Sequence, residues 1–223
     1  MNTQNRPTGR RGRAKQDKHE RIMRAAKALF THHGINGVTT QQVADEADVA
    51  IGTLFLYAST KAELLIMVQN TKFAAAIDDG LTAARAAAPS TDARHDAVST
   101  AMALLRPVVV CIREHPDNGR TYLHELVFGD PGEAHRAEGL ALAARLETGI
   151  ASILDRTEPD ITPERAALLA RVITAIVHIT TTASVFSELD DDTILADIRR
   201  QIRASVDGTT PSTPQHPIER PQP

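Results

Sequence analysis

Apolar residues return every third or fourth position along most of the chain, and no segment alternates strictly between apolar and polar, so the pattern predicts helices throughout and an all-α fold. Ile22, Ala25, Ala26, Leu29 and Phe30 share one face of a helix expected from about Asp17 to His33, with Gly34 as its stop. A short helix follows with Val43, Ala44 and Ala47 inward, then a turn plugged by Val49 and a second short element with Leu54 as its core contact. Thr60 opens a long helix reaching about Ala88. Beyond Pro89, the pattern is punctuated by Pro116, Gly129 to Gly132, Glu158-Pro159 and Asp190 to Asp192. Five helices are predicted there, near 91–115, 117–128, 132–157, 162–189 and 192–207, the first kinked at Pro107.

Residues 39–61 are the most specific stretch. Thr39 and Gln42 have the spacing of a capping box, the threonine oxygen covering a free helix N–H and the glutamine reaching back. Two short helices about a tight turn, followed by a lysine opening a third helix, have the layout of a DNA-reading helix-turn-helix, whose outward residues are available to a major groove.

The string Val49, Gly52, Thr53, Leu54, Phe55, Tyr57, Lys61, Glu63 and Leu64 resembles the N-terminal domain of the TetR (tetracycline-repressor-like) family of transcriptional regulators, and the resemblance covers residues 18–65. Four positions depart from the family pattern: Asp48 stands where a turn glycine is usual, Ala50 where a capping serine is usual, Ala58 where an aromatic is usual, and Phe55 where tyrosine would supply a hydroxyl. Base edges specify and phosphates position. Ile51, Gly52, Thr53 and Tyr57 are therefore expected at bases or the adjacent backbone, and Thr39, Thr40, Gln41 and Lys61 at phosphates. Phe55 either touches a thymine methyl or packs the domain. Arg10, Arg11 and Arg13, beside Gly9 and Gly12, are expected on an extended arm that follows the minor groove.

Val172 to Phe186 carries no Asp, Glu, Lys or Arg, yet at fifteen residues it falls short of a membrane span. Such a helix is expected to be buried on nearly all sides. That requires a partner subunit, with Ile194, Leu195, Ile198, Ile202 and Val206 as a matching stripe. The family resemblance implies the same, a four-helix dimer interface from the last two helices of each subunit. Ile176, Ile179, Ile198 and Ile202 are expected in it.

Charge sharpens the picture. Residues 1–61 hold ten Lys and Arg against five Asp and Glu, a net of +5, whereas the remainder holds fifteen against twenty-three, a net of −8. A basic N-terminal third on an acidic body fits phosphate binding. The single cysteine, Cys111, excludes an internal disulfide, and with no signal-peptide pattern a cytoplasmic, nucleoid-associated place is expected. Catalytic signatures are missing: no glycine-rich phosphate loop, no HExxH, no paired-cysteine spacing and no GxSxG. His124-Glu125 lacks a second histidine, and Cys111 lies in the apolar run Val108–Ile112 as a structural thiol. Neither catalysis, cofactor nor metal is expected.

The predicted organisation is a disordered basic arm over 1–16, a DNA-binding domain over 17–62, a helical effector-binding and dimerisation domain over 63–207 and a disordered proline-rich tail over 208–223. Polar side chains in apolar stretches mark an effector pocket: Arg106, Tyr122, Glu125, His178, Thr181 and Thr182. With only Phe73, Tyr122, Phe128 and Phe186 as aromatics in that domain, an aliphatic or weakly polar effector is expected. The expected function is a homodimeric regulator, a repressor released from a palindromic double-stranded DNA operator by a small molecule. The alternative is a DNA-associated dimeric scaffold with no effector, distinguished by a filled rather than hollow second domain.

Overall fold

The first helix starts earlier than its apolar face requires. In the computed structural model, α1 spans Arg10–His33, seven residues longer than the expected start at Asp17. Arg, Lys, Ala, Gln and Glu are strong helix formers. Gln16 donates to Glu20 at 2.9 Å, and the phenol of Tyr57 donates to the carbonyl of Lys15 at 2.9 Å, tying the extra turns down. Arg10, Arg11 and Arg13 therefore lie on a helix, which corrects the extended arm expected there.

The structure describes residues 9–87, 93–157, 161–183 and 188–208. Among them are nine helices and no strand: α1, α2 (Thr40–Glu46), α3 (Ile51–Leu54), α4 (Lys61–Ala86), α5 (Ala93–Arg113), α6 (Pro116–Phe128), α7 (Ala134–Thr157), α8 (Pro163–Thr182) and α9 (Asp191–Asp207). Residues 1–8 of the expected arm, Pro89, Glu158-Pro159, Phe186 and the tail beyond Gly208 lie outside the described residues, as do the side chains of Arg10 and Arg11.

Two apolar cores form. Ile22, Phe30, Val38, Val43, Ala44 and Leu54 make the first, and the start of α4 completes it with Leu64, Leu65, Met67 and Val68. The second, larger core gathers Ile66 and the residues of α4 from Phe73 onward with α5 to α9. α4 crosses α5 closely: a side chain at Gly80 would meet the Leu104 carbonyl at 2.2 Å, so only glycine fits. Pro107 sits inside α5.

α8 corrects one expectation. It ends at Thr182 rather than near 189, where Thr181 and Thr182 turn their hydroxyls onto the Val177 and His178 carbonyls and Ala183 is extended. Within its own subunit it is buried on one side only, so burial on nearly all sides still rests on the expected partner. Ile173 and Val177 enter the core, but Leu168 is 60% exposed, Val172 46% and Ile179 62%. By length and composition this helix could cross a membrane, yet its inner face is core. Conversely, α9 buries Ile194, Leu195, Ile198, Ile202 and Val206 within the same subunit, so Ile198 and Ile202 are core residues and not the expected subunit contacts.

Candidate functional site

The helix-turn-helix is built as its residues dictate. Thr39 Oγ1 accepts from the Gln42 amide at 3.2 Å while Gln42 Oε1 accepts from the Thr39 amide at 2.8 Å, closing the capping box. The turn between α2 and α3 places Asp48 at φ 50°, a left-handed conformation that glycine adopts freely and aspartate tolerates. Arg21 of α1 pairs with this carboxylate at 3.0 Å, fixing the turn against α1. The departure at Asp48 thus has its partner in the first helix.

Beyond the turn, Leu54 is wholly buried and Ile51 and Tyr57 pack partly against the core. Gly52, Phe55 and Leu56 form the outward surface, Phe55 at 45% and Leu56 at 84% exposure. Thr39 and Gln41 are exposed on the adjoining end of α2, Gln41 donating to Asp45 at 2.7 Å, while Thr40 and Thr53 are half-buried and Arg13 is exposed on α1. Two assignments change. Tyr57 spends its hydroxyl on Lys15 and stands 5.7 Å from the His19 ring, so it is a strut between α1 and the reading element. Lys61 donates to the carbonyls of Ile35 at 2.8 Å and Val38 at 3.0 Å, which makes it a tie on the α1–α2 loop before it is a phosphate contact. Leu56 is the side chain most offered to a partner.

The second domain grips the first at two places that the sequence pattern does not mark. Asn118, buried near the start of α6, accepts from the Ile35 amide at 2.7 Å and donates to the Phe30 carbonyl at 2.8 Å, while His115 lies against Gly34. At the start of α7, the His135 amide donates to Glu63 Oε1 at 2.9 Å. His135 Nε2 lies 3.0 Å from the Tyr57 carbonyl, which only accepts, so that nitrogen carries the proton. Ser59 donates to Glu133. α6 and the α6–α7 turn thereby touch both ends of the helix-turn-helix.

Glu63 is 3% exposed, and its Oε2 has no hydrogen-bond partner. Burial pushes its carboxyl above the ordinary glutamate range; the His135 amide opposes this, and the facing Glu133 adds to it. An acid raised in the folded state contributes stability in full below its ordinary value of 4.5 and loses it as pH climbs from there through the folded value. Glu63→Gln keeps an acceptor for His135 and removes that loss, so the variant should melt above the parent at neutral pH with a flatter dependence of melting temperature on pH. Superimposable pH profiles would count against this.

The six residues expected around an effector do not meet around one cavity. Arg106 is exposed and 3.4 Å from Asp192. Tyr122 is fully buried, donating to Asn70 Oδ1 at 3.0 Å and standing edge-on to Phe73, with burial pushing its phenol upward. Glu125 lies 3.5 Å from His124 and borders a cavity of about 110 Å³ with Glu63 and Glu133. His178 is half-buried, held below its ordinary value by burial and then by His124, and Thr181 and Thr182 bond within their own helix. Tyr122, Thr181 and Thr182 are satisfied by Asn70 and by their own helix, so their burial does not call for a ligand. Cys111 is half-buried with its thiol pushed up to about 11 by burial, an unreactive state.

Comparison with known proteins bears on this geometry. Residues 22–68 match the family model described as bacterial regulatory proteins, tetR family, and those bounds coincide with the N-terminal core from Ile22 to Val68. The chain is 37% identical over 60 residues to the HTH-type transcriptional repressor KstR of Mycobacterium tuberculosis, 27% of each chain. The match therefore spans about a quarter of that relative's length. Among solved structures, Thermus thermophilus FadR, a TetR-family repressor in complex with lauroyl-CoA, superposes with a TM-score of 0.62 at 23% identity over 89% of this chain and 98% of that one. AibR in complex with isovaleryl coenzyme A and operator DNA gives 0.55 at 15% identity over 82% and 97%. At those identities the likeness is one of fold.

Proposed function

We propose, from the premise that residues 22–68 form the DNA-binding domain of the TetR family, that this chain is a homodimeric transcriptional repressor released from a palindromic operator by a small-molecule effector. The observation that carries the reading is the outward surface of Gly52, Phe55 and Leu56, on an element whose opposite side is locked by Leu54, the Arg21–Asp48 pair and the Tyr57–Lys15 bond. Groove-facing residues there read bases, with Thr39, Gln41 and the basic α1 extension carrying phosphate contacts.

Dimerisation is assigned to α8. Leu168, Val172, Ala175 and Ile179 recur at helical spacing along one exposed apolar stripe, continuous with half-buried Ile176. A two-fold axis beside this stripe sets the separation of the two reading elements, and operator half-sites are then spaced about 34–36 Å or a multiple of it. The effector reading is supported by the neighbours in fold that hold acyl-coenzyme A molecules. A ligand acts only through differential affinity for the two spacings. The workplace is the cytoplasm, at the nucleoid.

The direct test is an electrophoretic mobility shift with DNA flanking the protein's own gene, repeated with acyl-coenzyme A thioesters of several lengths. A sequence-selective shift that the thioester reverses is expected; no preference over random DNA would overturn the reading.

Gly52 gives a sharper test. A methyl group there meets nothing within 4 Å, so the glycine is not demanded by packing. Gly52→Ala should be neutral or stabilising by about 0.5–1 kcal/mol, yet weaken operator binding about tenfold or more by blocking close approach of the backbone to DNA. Parent-like affinity in gel shifts would remove Gly52 from the interface.

A further inference from the structure

We infer that the cleft between the last turns of α4 and the second half of α7 is the effector's anchoring site, and that it takes a phosphate-bearing amphiphile. A cavity of about 540 Å³ opens there, bordered by Leu81, Ala84 and Arg85 from α4 and by Arg145, Ile153 and Arg156 from α7. That volume suits an organic ligand rather than a single ion. The inference rests on the reading of the C-terminal body as an effector domain, and it moves the pocket away from Tyr122 and His178.

Charge is the first argument. Residues 62–223 carry a net charge of −8, with fifteen Lys and Arg in all. Three of those fifteen border this one cleft, against a single bordering carboxylate, Asp155. Arg145 is paired with Asp78, and Arg156 Nε donates to the Ser152 carbonyl at 3.0 Å. That leaves the Arg156 terminal nitrogens uncommitted among the described residues, and Arg85 has no partner there at all. Like charges gathered in a concave site repel one another, and an anion relieves that repulsion. The planar guanidinium fork suits phosphate oxygens, which it meets two at a time.

The floor is the second argument. Between the arginines the apolar surface that stays open is that of Leu81, part-exposed and packed on the second core, beside the buried Ala84 and Ile153. An inorganic anion leaves this apolar surface wet, whereas a phosphate head with an apolar or aromatic stem covers it. Position supplies the third. Arg85 ends the helix that begins at Lys61 under the reading element, roughly 36 Å away at 1.5 Å per residue. A ligand bridging Arg85 to Arg156 therefore clamps the far end of that helix to α7, whose near end holds Tyr57 and Glu63 through His135.

The experiment is calorimetric titration of the full chain with lauroyl-CoA, coenzyme A and laurate, for the parent and for the double variant Arg85→Gln with Arg156→Gln. Both side chains are exposed, so the unliganded variant should keep the parent's helix content and melting temperature. Lauroyl-CoA and coenzyme A should bind the parent, laurate should bind far more weakly, and the variant should lose about tenfold or more for the phosphorylated probes, as expected when charged hydrogen bonds are removed. Arg85→Lys, which keeps the charge and loses the fork, should fall between. Equal affinity of parent and variant would overturn the cleft while leaving an effector elsewhere in the domain. Binding of none of the three probes, or of laurate as tightly as lauroyl-CoA, would overturn the phosphate-bearing class. Failure of the broader reading shows separately, as operator binding that no small molecule in the panel alters.

Discussion

Ile198→Asp should abolish cooperative folding of the C-terminal body rather than merely separate the subunits. Ile198 is fully buried in the second core of its own chain, and an uncompensated buried charge costs roughly 3–5 kcal/mol, a large share of the 5–15 kcal/mol that holds a typical domain together. Ile179→Asp is the contrasting variant. Its side chain is 62% exposed on the α8 stripe, so helix content and melting should hold while sedimentation shifts from dimer to monomer. A folded, monomeric Ile198→Asp protein would return α9 to the subunit interface. An Ile179→Asp protein that stays dimeric would remove α8 from it.

Asn118→Ala carries the second large effect. One side chain satisfies the Ile35 amide and the Phe30 carbonyl, both where α6 meets the α1–α2 loop. Truncation strands the buried Ile35 amide, at about 1–3 kcal/mol, and takes a second hydrogen bond worth about 0.5–1.5 kcal/mol from the Phe30 carbonyl, which keeps the Gly34 amide. Chemical denaturation should show a loss of about 2–4 kcal/mol, on the same principle of unmade bonds. The same loop is held by Lys61 through the Ile35 and Val38 carbonyls, so its loosening should also lower DNA affinity and weaken the response to an effector. An unchanged denaturation midpoint would mean that water replaces the amide without cost, and that α6 does not steer the loop.

The helical periodicity placed most of the helices to within a few residues, because each carries a one-sided apolar face and a capping or breaking residue: Thr39, Thr60, Pro116, Thr162 and Asp190 all stand at starts. The capping box was legible for the same local reason. What periodicity does not carry is which neighbour covers a face. α8 and α9 are both apolar enough for a subunit contact, and only the packing shows that α9 is spent inside its own chain while half of α8 is left open. The polar residues Tyr122, Thr181 and Thr182 looked stranded because their partners, Asn70 and backbone carbonyls, are matters of three-dimensional placement or of side-chain rotamer. Asn118 gave no local signal, and Glu63, though part of the family-like string, gave none of its tie to α7, since each acts across 70 residues or more of sequence. Asp48 did give one, as a departure from the usual turn glycine, but its pairing with Arg21, 27 residues away, is a matter of placement.

The fourth helix changes allegiance midway along its length. Leu64, Leu65, Met67 and Val68 are enclosed with the reading element, Ile66 and the buried apolar residues from Phe73 onward with the larger body, and Gln69 and Asn70 lie buried between. A boundary drawn at residue 62, where the helix-turn-helix motif ends, would leave the first core without Leu64, Leu65, Met67 and Val68. Anyone building chimaeras that pair this DNA specificity with another sensor, or this sensor with another specificity, should therefore join the two parents inside an unbroken helix, between Val68 and Phe73, and carry over Asn118 and His135 or their counterparts from one parent together with the loop and helix end that they hold.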